Sequence, residues 1–260
     1  MAHHFLTFVN NGFMNPERIL NQANSFGCFD VVECYNELII KDYIKKHERF
    51  IKREPYGFGR FIWKPMVIWD KLSKVPMGDI IVYSDAGMYL NIKGKERLLE
   101  YFDKLKEKPL VLFSTTEHYK LRKFVKADAI MEYAPELAHD NMTYCYAGLM
   151  IIKKCEESLT LIKEWLALCE NYHFIDRSKS TKFKEFPEFM AQDADNGLFC
   201  LSIYKHQKIV NFISAHETNV HTPEGVQVQH VPEYHHSKID WSALDPFPFQ
   251  YRRDTPKFSK

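Results

Sequence analysis

The sequence predicts an α/β domain built on a largely parallel central sheet. Three observations lead there. Short apolar runs, such as Ile80-Ile81-Val82-Tyr83 and the segment 110–113, read as strands buried on both faces. Amphipathic segments lie between them, such as 95–108 with Leu98, Phe102 and Leu105 on one face. The two types alternate along the chain, as parallel strands joined by right-handed crossovers do.

The elements follow in order. Residues 5–9 are the first strand. Asn15 caps a helix with Pro16 at its first position, Ile19, Ala23 and Phe26 on its apolar face and Gly27 at its end. Residues 31–34 form a strand and 37–52 a charged amphipathic helix. A loop rich in glycine and aromatics, Tyr56-Gly57-Phe58-Gly59-Arg60-Phe61-Ile62-Trp63, leads to a helix opened by Pro65 and ending before Gly78. The strand 80–83 ends at Ser84-Asp85-Ala86-Gly87. Residues 144–152 read as a strand with a small-residue break at Ala147-Gly148. The segment 156–172 is a strong helix, with Leu159, Ile162, Leu166 and Cys169 in register. A polar loop spans 179–186, a helix 195–205 and a strand 209–213. Residues 1–240 are expected to be one catalytic domain. Residues 241–260, rich in proline and aromatics, are expected to wrap its surface or to be partly disordered.

Composition narrows the function. A chain of 260 residues, 45% hydrophobic and 15% aromatic, is long enough for a sizeable core. Its net charge of +1 gives no electrostatic footprint for nucleic acid. No apolar run approaches a bilayer span. The opening MAHHFLTFVNNG lacks the basic and apolar regions of a signal peptide. The six cysteines form no Cys-x-x-Cys pair and read as free thiols in a reducing compartment, so a cytoplasmic location is expected.

The chemistry is expected at the end of the strand 80–83. Open α/β sheets bind ligands beyond the carboxyl ends of their strands. Asp85 stands there, followed by a small residue and a glycine that let a phosphate approach the backbone. This is the layout of a nucleotide-sugar site, where one acid holds a divalent cation that bridges a diphosphate. Mg²⁺ or Mn²⁺ takes one or two protein carboxylates, with phosphate and water completing its shell. Lys64, before Pro65 at a helix start, is a candidate for the diphosphate, helped by the amides there, and Arg60 is a second. Asp193 and Asp195 open a helix, where the dipole alone favours acids. Asp79, at the other end of the strand, reads as a turn residue.

The chain resembles glycosyltransferases of the GT-A type, and in particular small transferases of bacterial polysaccharide clusters and large DNA viruses. The residues that carry the resemblance are Gly57, Phe58, Gly59, Phe61, Trp63, Lys64 and Pro65, then Gly78, Asp79, Asp85, Ala86 and Gly87. Further on come Glu164-Trp165, Cys169-Glu170-Asn171-Tyr172-His173, Pro187-Glu188-Phe189 and Asp195-Asn196. Two departures stand out. The usual Asp-x-Asp is Asp85-Ala86-Gly87 here, leaving one carboxylate, and the usual His-Asp-Gln is Ala194-Asp195-Asn196.

The resemblance implies a sugar donor activated by a nucleoside diphosphate, UDP most simply, a glycan hydroxyl as acceptor, and Mn²⁺ or Mg²⁺ as cofactor. It assigns the base and ribose to the end of the first strand, from Thr7 through Asn10 to Asn11, and the diphosphate to Ser84, Asp85, Ala86 and Gly87. It makes His216 a second metal ligand, above His221 and the His235-His236 pair. It makes Asp195 the base of an inverting transfer, or the residue that holds the donor sugar. A break at Tyr144, Tyr146, Ala147 and Gly148 either admits the acceptor or packs the sheet tightly. Two other functions fit less well. A catalytically idle nucleotide-sugar binder would explain the lost acid and histidine. A sugar nucleotidyltransferase would need a basic glycine-rich loop, which residues 5–12 lack.

Overall fold

A computed structural model describes residues 1–10, 12–114, 120–140, 142, 144–218 and 247–250. The chain forms a single α/β domain around a six-stranded sheet. The strands are β1 (His3–Phe8), β2 (Val31–Tyr35), β3 (Ile80–Ser84), β5 (Leu110–Ser114), β6 (Cys145–Lys153) and β7 (Val210–Ser214); a separate pair is β4 (Tyr89–Leu90) with β8 (Phe249–Gln250). The sheet order is β2-β1-β3-β6-β5-β7. Five strands run parallel, and β6 alone runs against its neighbours β3 and β5. β3 is buried along its whole length. The carboxyl end of a central strand is therefore presented between covered faces.

Each face of the sheet carries its own core. Leu6, Phe8, Ile81, Tyr83, Met150 and Ile152 lie on one side, packed by the helices Trp63–Lys74, Glu156–Glu170 and Ala194–His206. Phe5, Ile80, Val82, Val111 and Ile151 lie on the other, packed by Glu17–Ser25 and Lys95–Lys104. The alternation follows from the two-residue period of a strand.

The expected elements are present with modest shifts, and one differs. The segment 37–52 is two short helices, Lys41–Lys46 and Glu48–Arg53, broken at His47. His47 is buried and bonds Tyr172 Oη at 2.7 Å and Glu170 at 3.3 Å. Those tertiary bonds fix its backbone outside the helical region. Two helices with no expectation behind them, Leu121–Phe124 and Ala127–Tyr133, follow β5. The loop expected at 179–186 is tied down by Asp128, whose carboxylate accepts the backbone N–H groups of Thr181, Lys182 and Phe183 and bonds His173 Nε2 at 2.7 Å. Asp79 is structural, accepting the Ala2 N–H at 2.8 Å and bonding His4 at 3.1 Å.

Of the segment 241–260, only Phe247–Gln250 lies among the described residues. Phe249 is 1% exposed and meets Phe113 edge-on at 6.3 Å. Gly94 makes room for the strand pair, since a Cβ there would sit 2.2 Å from Pro248 N. Phe249 is thus part of the core on the Phe5 side of the sheet. Phe249→Ala is expected to destabilise the domain by about 3–5 kcal/mol, read as a lower midpoint in urea; an unchanged midpoint would place β8 outside the cooperative unit.

Candidate functional site

The site gathers at the carboxyl end of β3. Tyr83 is fully buried and donates its hydroxyl to Asp85 Oδ1 at 2.7 Å. The Asp85 backbone N–H donates to Gly148 O at 2.8 Å, and its carbonyl accepts from Met88 N at 2.9 Å. The turn beyond it is clamped by Arg18, which donates to Ala86 O and Met88 O, both at 2.8 Å. Gly148 explains the small-residue break in β6. A Cβ there would lie 2.6 Å from Asp85 Oδ2, so any larger residue would push the carboxylate from its place.

Lys64 reaches this carboxylate from the start of its helix. Its Nζ lies 3.1 Å from Asp85 Oδ1 and 3.2 Å from Oδ2. It also lies 3.6 Å from Asp195 Oδ2, which is ion-pair range without a hydrogen bond. The Lys64 side chain is 4% exposed and that of Asp195 3%, while Asp85 is 41% exposed. The cluster therefore has one open edge, at Asp85, and a buried interior.

Backbone strain flanks the cluster. Among the described residues the non-glycines with positive φ are Phe58, Arg60, Phe61 and Ala194. Three precede Lys64 closely, and the fourth immediately precedes Asp195. Such conformations each cost on the order of 1–3 kcal/mol and persist where surrounding structure enforces them, often at functional sites. The enforcing contacts are visible. Trp63 Nε1 donates to Gly57 O at 3.0 Å, and the Trp63 ring stacks on Phe8 at 3.9 Å. A Cβ on Gly59 would lie 2.6 Å from Ile51, so the turn also needs glycine.

Asp195 is held from behind. Trp165 Nε1 donates to its carbonyl at 3.1 Å, which gives the Glu164-Trp165 segment a physical role. Asn196 Oδ1 accepts the Ala147 N–H at 2.5 Å, fastening the helix start to β6. Asp195 Oδ2 is buried and has no hydrogen-bond partner among the described residues. Burial pushes its carboxyl up to about 7; Lys64 opposes the shift, and Asp85 and Asp193 add to it. Asp193 accepts from Tyr144 Oη at 2.8 Å and stays in the helix-start network.

Six further expected residues, Arg60, Thr7, Asn10, Ser84, Gly87 and His216, fall among the described residues. Arg60 is buried, donating to Ile175 O at 3.2 Å and Gln192 O at 2.6 Å. Those two bonds use Nε and one terminal nitrogen of the guanidinium, so it braces the strained turn. Thr7 is fully buried in β1, with its hydroxyl unpartnered among the described residues, and Asn10 is half-buried just beyond the strand. Ser84 is buried, donating to Asp85 O at 3.3 Å. His216 sits in a turn after β7, three strands from β3, or about 14 Å by strand spacing alone. Gly87 is half-buried inside the clamped turn. Asn11, His221, His235 and His236 lie outside the described residues. Sequence reasoning missed Tyr83 and Arg18 as parts of the site, and gave Gly148 only as part of a break that admits the acceptor or packs the sheet. A tyrosine within an apolar strand, two residues before the acid, was the signal for the first.

Among the described residues, no three His, Cys, Asp or Glu side chains gather as a metal site. The donor set at Asp85 is one reachable carboxylate with an ammonium beside it. That fits a divalent cation shared with a ligand's phosphates, which needs only one or two protein carboxylates. It does not fit a cation held by protein groups alone. All six cysteines are free, and no helix among the described residues is long and apolar enough to cross a membrane.

The buried acid has a consequence for stability. Its folded carboxyl binds a proton more tightly than the unfolded one, whose ordinary value is 3.8. Stability contributed here is present at low pH and is lost as pH rises from about 4 to about 7. The melting temperature of Asp195→Asn, relative to wild type, is therefore expected to rise between pH 5 and pH 8. A difference independent of pH would mean that Asp195 titrates normally.

No protein-family profile matches the chain, and no curated protein matches it. Solved structures overlap it at low identity. Mouse xyloside xylosyltransferase 1, apo form, is 11% identical, with 98% of this chain and 99% of that one covered and a TM-score of 0.48. A glycosyltransferase involved in glycosylating the major capsid of PBCV-1 is 12% identical, with 84% of each chain covered and a TM-score of 0.41. Glucosyl-3-phosphoglycerate synthase from Mycobacterium tuberculosis, in complex with Mn²⁺ and UDP-glucose, is 10% identical, with 82% of this chain and 68% of that one covered and a TM-score of 0.41. Overlap at this level describes the course of the backbone and carries nothing about the reaction.

Proposed function

We propose that the protein is a glycosyltransferase that moves a sugar from a nucleoside diphosphate donor, UDP-linked in the simplest case, to a glycan hydroxyl. The observation that supports it most is the meeting of Lys64, Asp85 and Asp195 at the carboxyl end of β3, flanked by enforced strain. Such a site needs positive charge for a leaving diphosphate and a carboxylate for the sugar or the incoming hydroxyl.

The chain's own groups divide this work. Lys64 supplies a fixed ammonium toward the diphosphate, and Asp85 offers the open carboxylate that would hold Mn²⁺ or Mg²⁺ beside it. When bound, that cation would act as a Lewis acid on the phosphate oxygens. Ala86 and Gly87 lie in the turn that Arg18 clamps, keeping the backbone there close and fixed. Asp195, with an unpartnered oxygen and a carboxyl poised near neutrality, suits a general base that takes the proton of the acceptor hydroxyl. Inversion at the anomeric carbon is the outcome expected of that base. Its burial favours a second reading, in which Asp195 holds a hydroxyl of the donor sugar.

Asp85→Asn is expected to remove most of the difference in UDP-sugar affinity between Mn²⁺ and EDTA buffers, and to lower turnover by about a hundredfold or more, as loss of a charge stabiliser does. Calorimetry showing equal affinity in both buffers for wild type would remove the metal from the proposal. Asp195→Asn separates the two readings of that acid. A base gives unchanged donor affinity with turnover down by about 10²–10⁴. A sugar-holding role gives weaker UDP-sugar binding with UDP binding unchanged. Unaltered turnover would take Asp195 out of the site.

A further inference from the structure

The counter-charge between the two acids is part of the chain. Lys64 Nζ contacts both Asp85 oxygens, at 3.1 and 3.2 Å, and Asp195 Oδ2 at 3.6 Å. The rings of Phe61, Trp63 and Tyr83 surround it, with centroids at 5.2, 5.9 and 5.8 Å. Ring faces favour a cation, so the ammonium is stabilised where it stands. The side chain is almost fully buried and its backbone follows the enforced turn, so it has little freedom to leave. Asp85, in contrast, is open to solvent. Steric access to this carboxylate is therefore open, and the charge beside it is what an arriving cation meets.

We infer that Lys64 is a tethered counter-ion that keeps free divalent cations off Asp85 and yields only when a diphosphate arrives, so that cation and nucleotide enter together. This rests on the donor-site reading above. A dication approaching Asp85 alone meets an ammonium already satisfied by that carboxylate, and the two cations repel. A diphosphate reverses the balance. Its oxygens satisfy the ammonium, Asp85 is released toward the incoming cation, and the added negative charge attracts that cation. Coupling of this kind is reciprocal, so the cation also tightens the nucleotide. The missing second acid of the motif fits the same logic, because a lone carboxylate beside a lysine has no strong hold on a metal by itself.

The test is Mn²⁺ binding to the full chain, followed by the paramagnetic resonance of free Mn²⁺, with and without UDP. Wild type is expected to bind Mn²⁺ weakly alone and at least about tenfold more tightly with UDP, above the affinity of UDP itself for Mn²⁺. Lys64→Met and Lys64→Gln, checked for folding by circular dichroism, are expected to bind Mn²⁺ alone about tenfold or more tightly than wild type, and to lose the gain when Asp85→Asn is added. Lys64 variants that bind Mn²⁺ alone no better than wild type would overturn the inference. If neither variant folds, the wild-type and Asp85→Asn pair decides. Binding that depends on Asp85 and appears only with UDP supports it, and equal Asp85-dependent binding without UDP overturns it. A gain in the Lys64 variants with no UDP effect in wild type would retain the counter-ion and remove the donor-site reading, so the two failures are distinguishable.

Discussion

One ammonium held between two carboxylates organises this end of the molecule. Lys64 joins a helix start, the end of β3 and the first turn of the helix Ala194–His206, three parts of the chain that meet only in the fold. Burying the Lys64 and Asp195 charges is costly unless they are paired. The pairing is incomplete: among the described residues Asp195 Oδ2 has no hydrogen bond, and burial raises its carboxyl far above the ordinary range. A cluster kept in that condition is not arranged for stability alone, and such clusters gather at functional sites.

The surroundings exist to hold it. The strained turn 57–61 aims the helix that carries Lys64, and Arg60 and Trp63 fix that turn from within. Gly148 clears a space that the Asp85 carboxylate occupies, and the antiparallel course of β6 brings that glycine opposite the end of β3. Trp165 and Asn196 set the position of Asp195. Several of the motif residues are thus supports for three charged side chains, which explains why aromatic and glycine positions make up so much of the pattern.

Much of the architecture was legible in the sequence because strand and helix periods differ and the core is strongly apolar. The strand 80–83, the helix 156–172 and the strand 110–113 all lie within a few residues of their expected bounds. The acid at the end of β3 followed from strand position alone. The break at His47 and the burial of Phe249 were not legible, because each depends on partners remote in sequence. Arg60 shows the limit most clearly. An arginine in a glycine-rich loop reads as a phosphate ligand, and only the fold reveals the two backbone carbonyls that accept its guanidinium. Tyr83 shows the converse, since a tyrosine in an apolar run reads as core until its hydroxyl is seen on Asp85.

The most direct measurement is a crystal structure of the protein with UDP and Mn²⁺. A diphosphate within hydrogen-bonding distance of Lys64 Nζ, with the cation between it and Asp85, is the result a donor site at the end of β3 requires. Nucleotide bound elsewhere, with the Lys64–Asp85 contact intact, would contradict it.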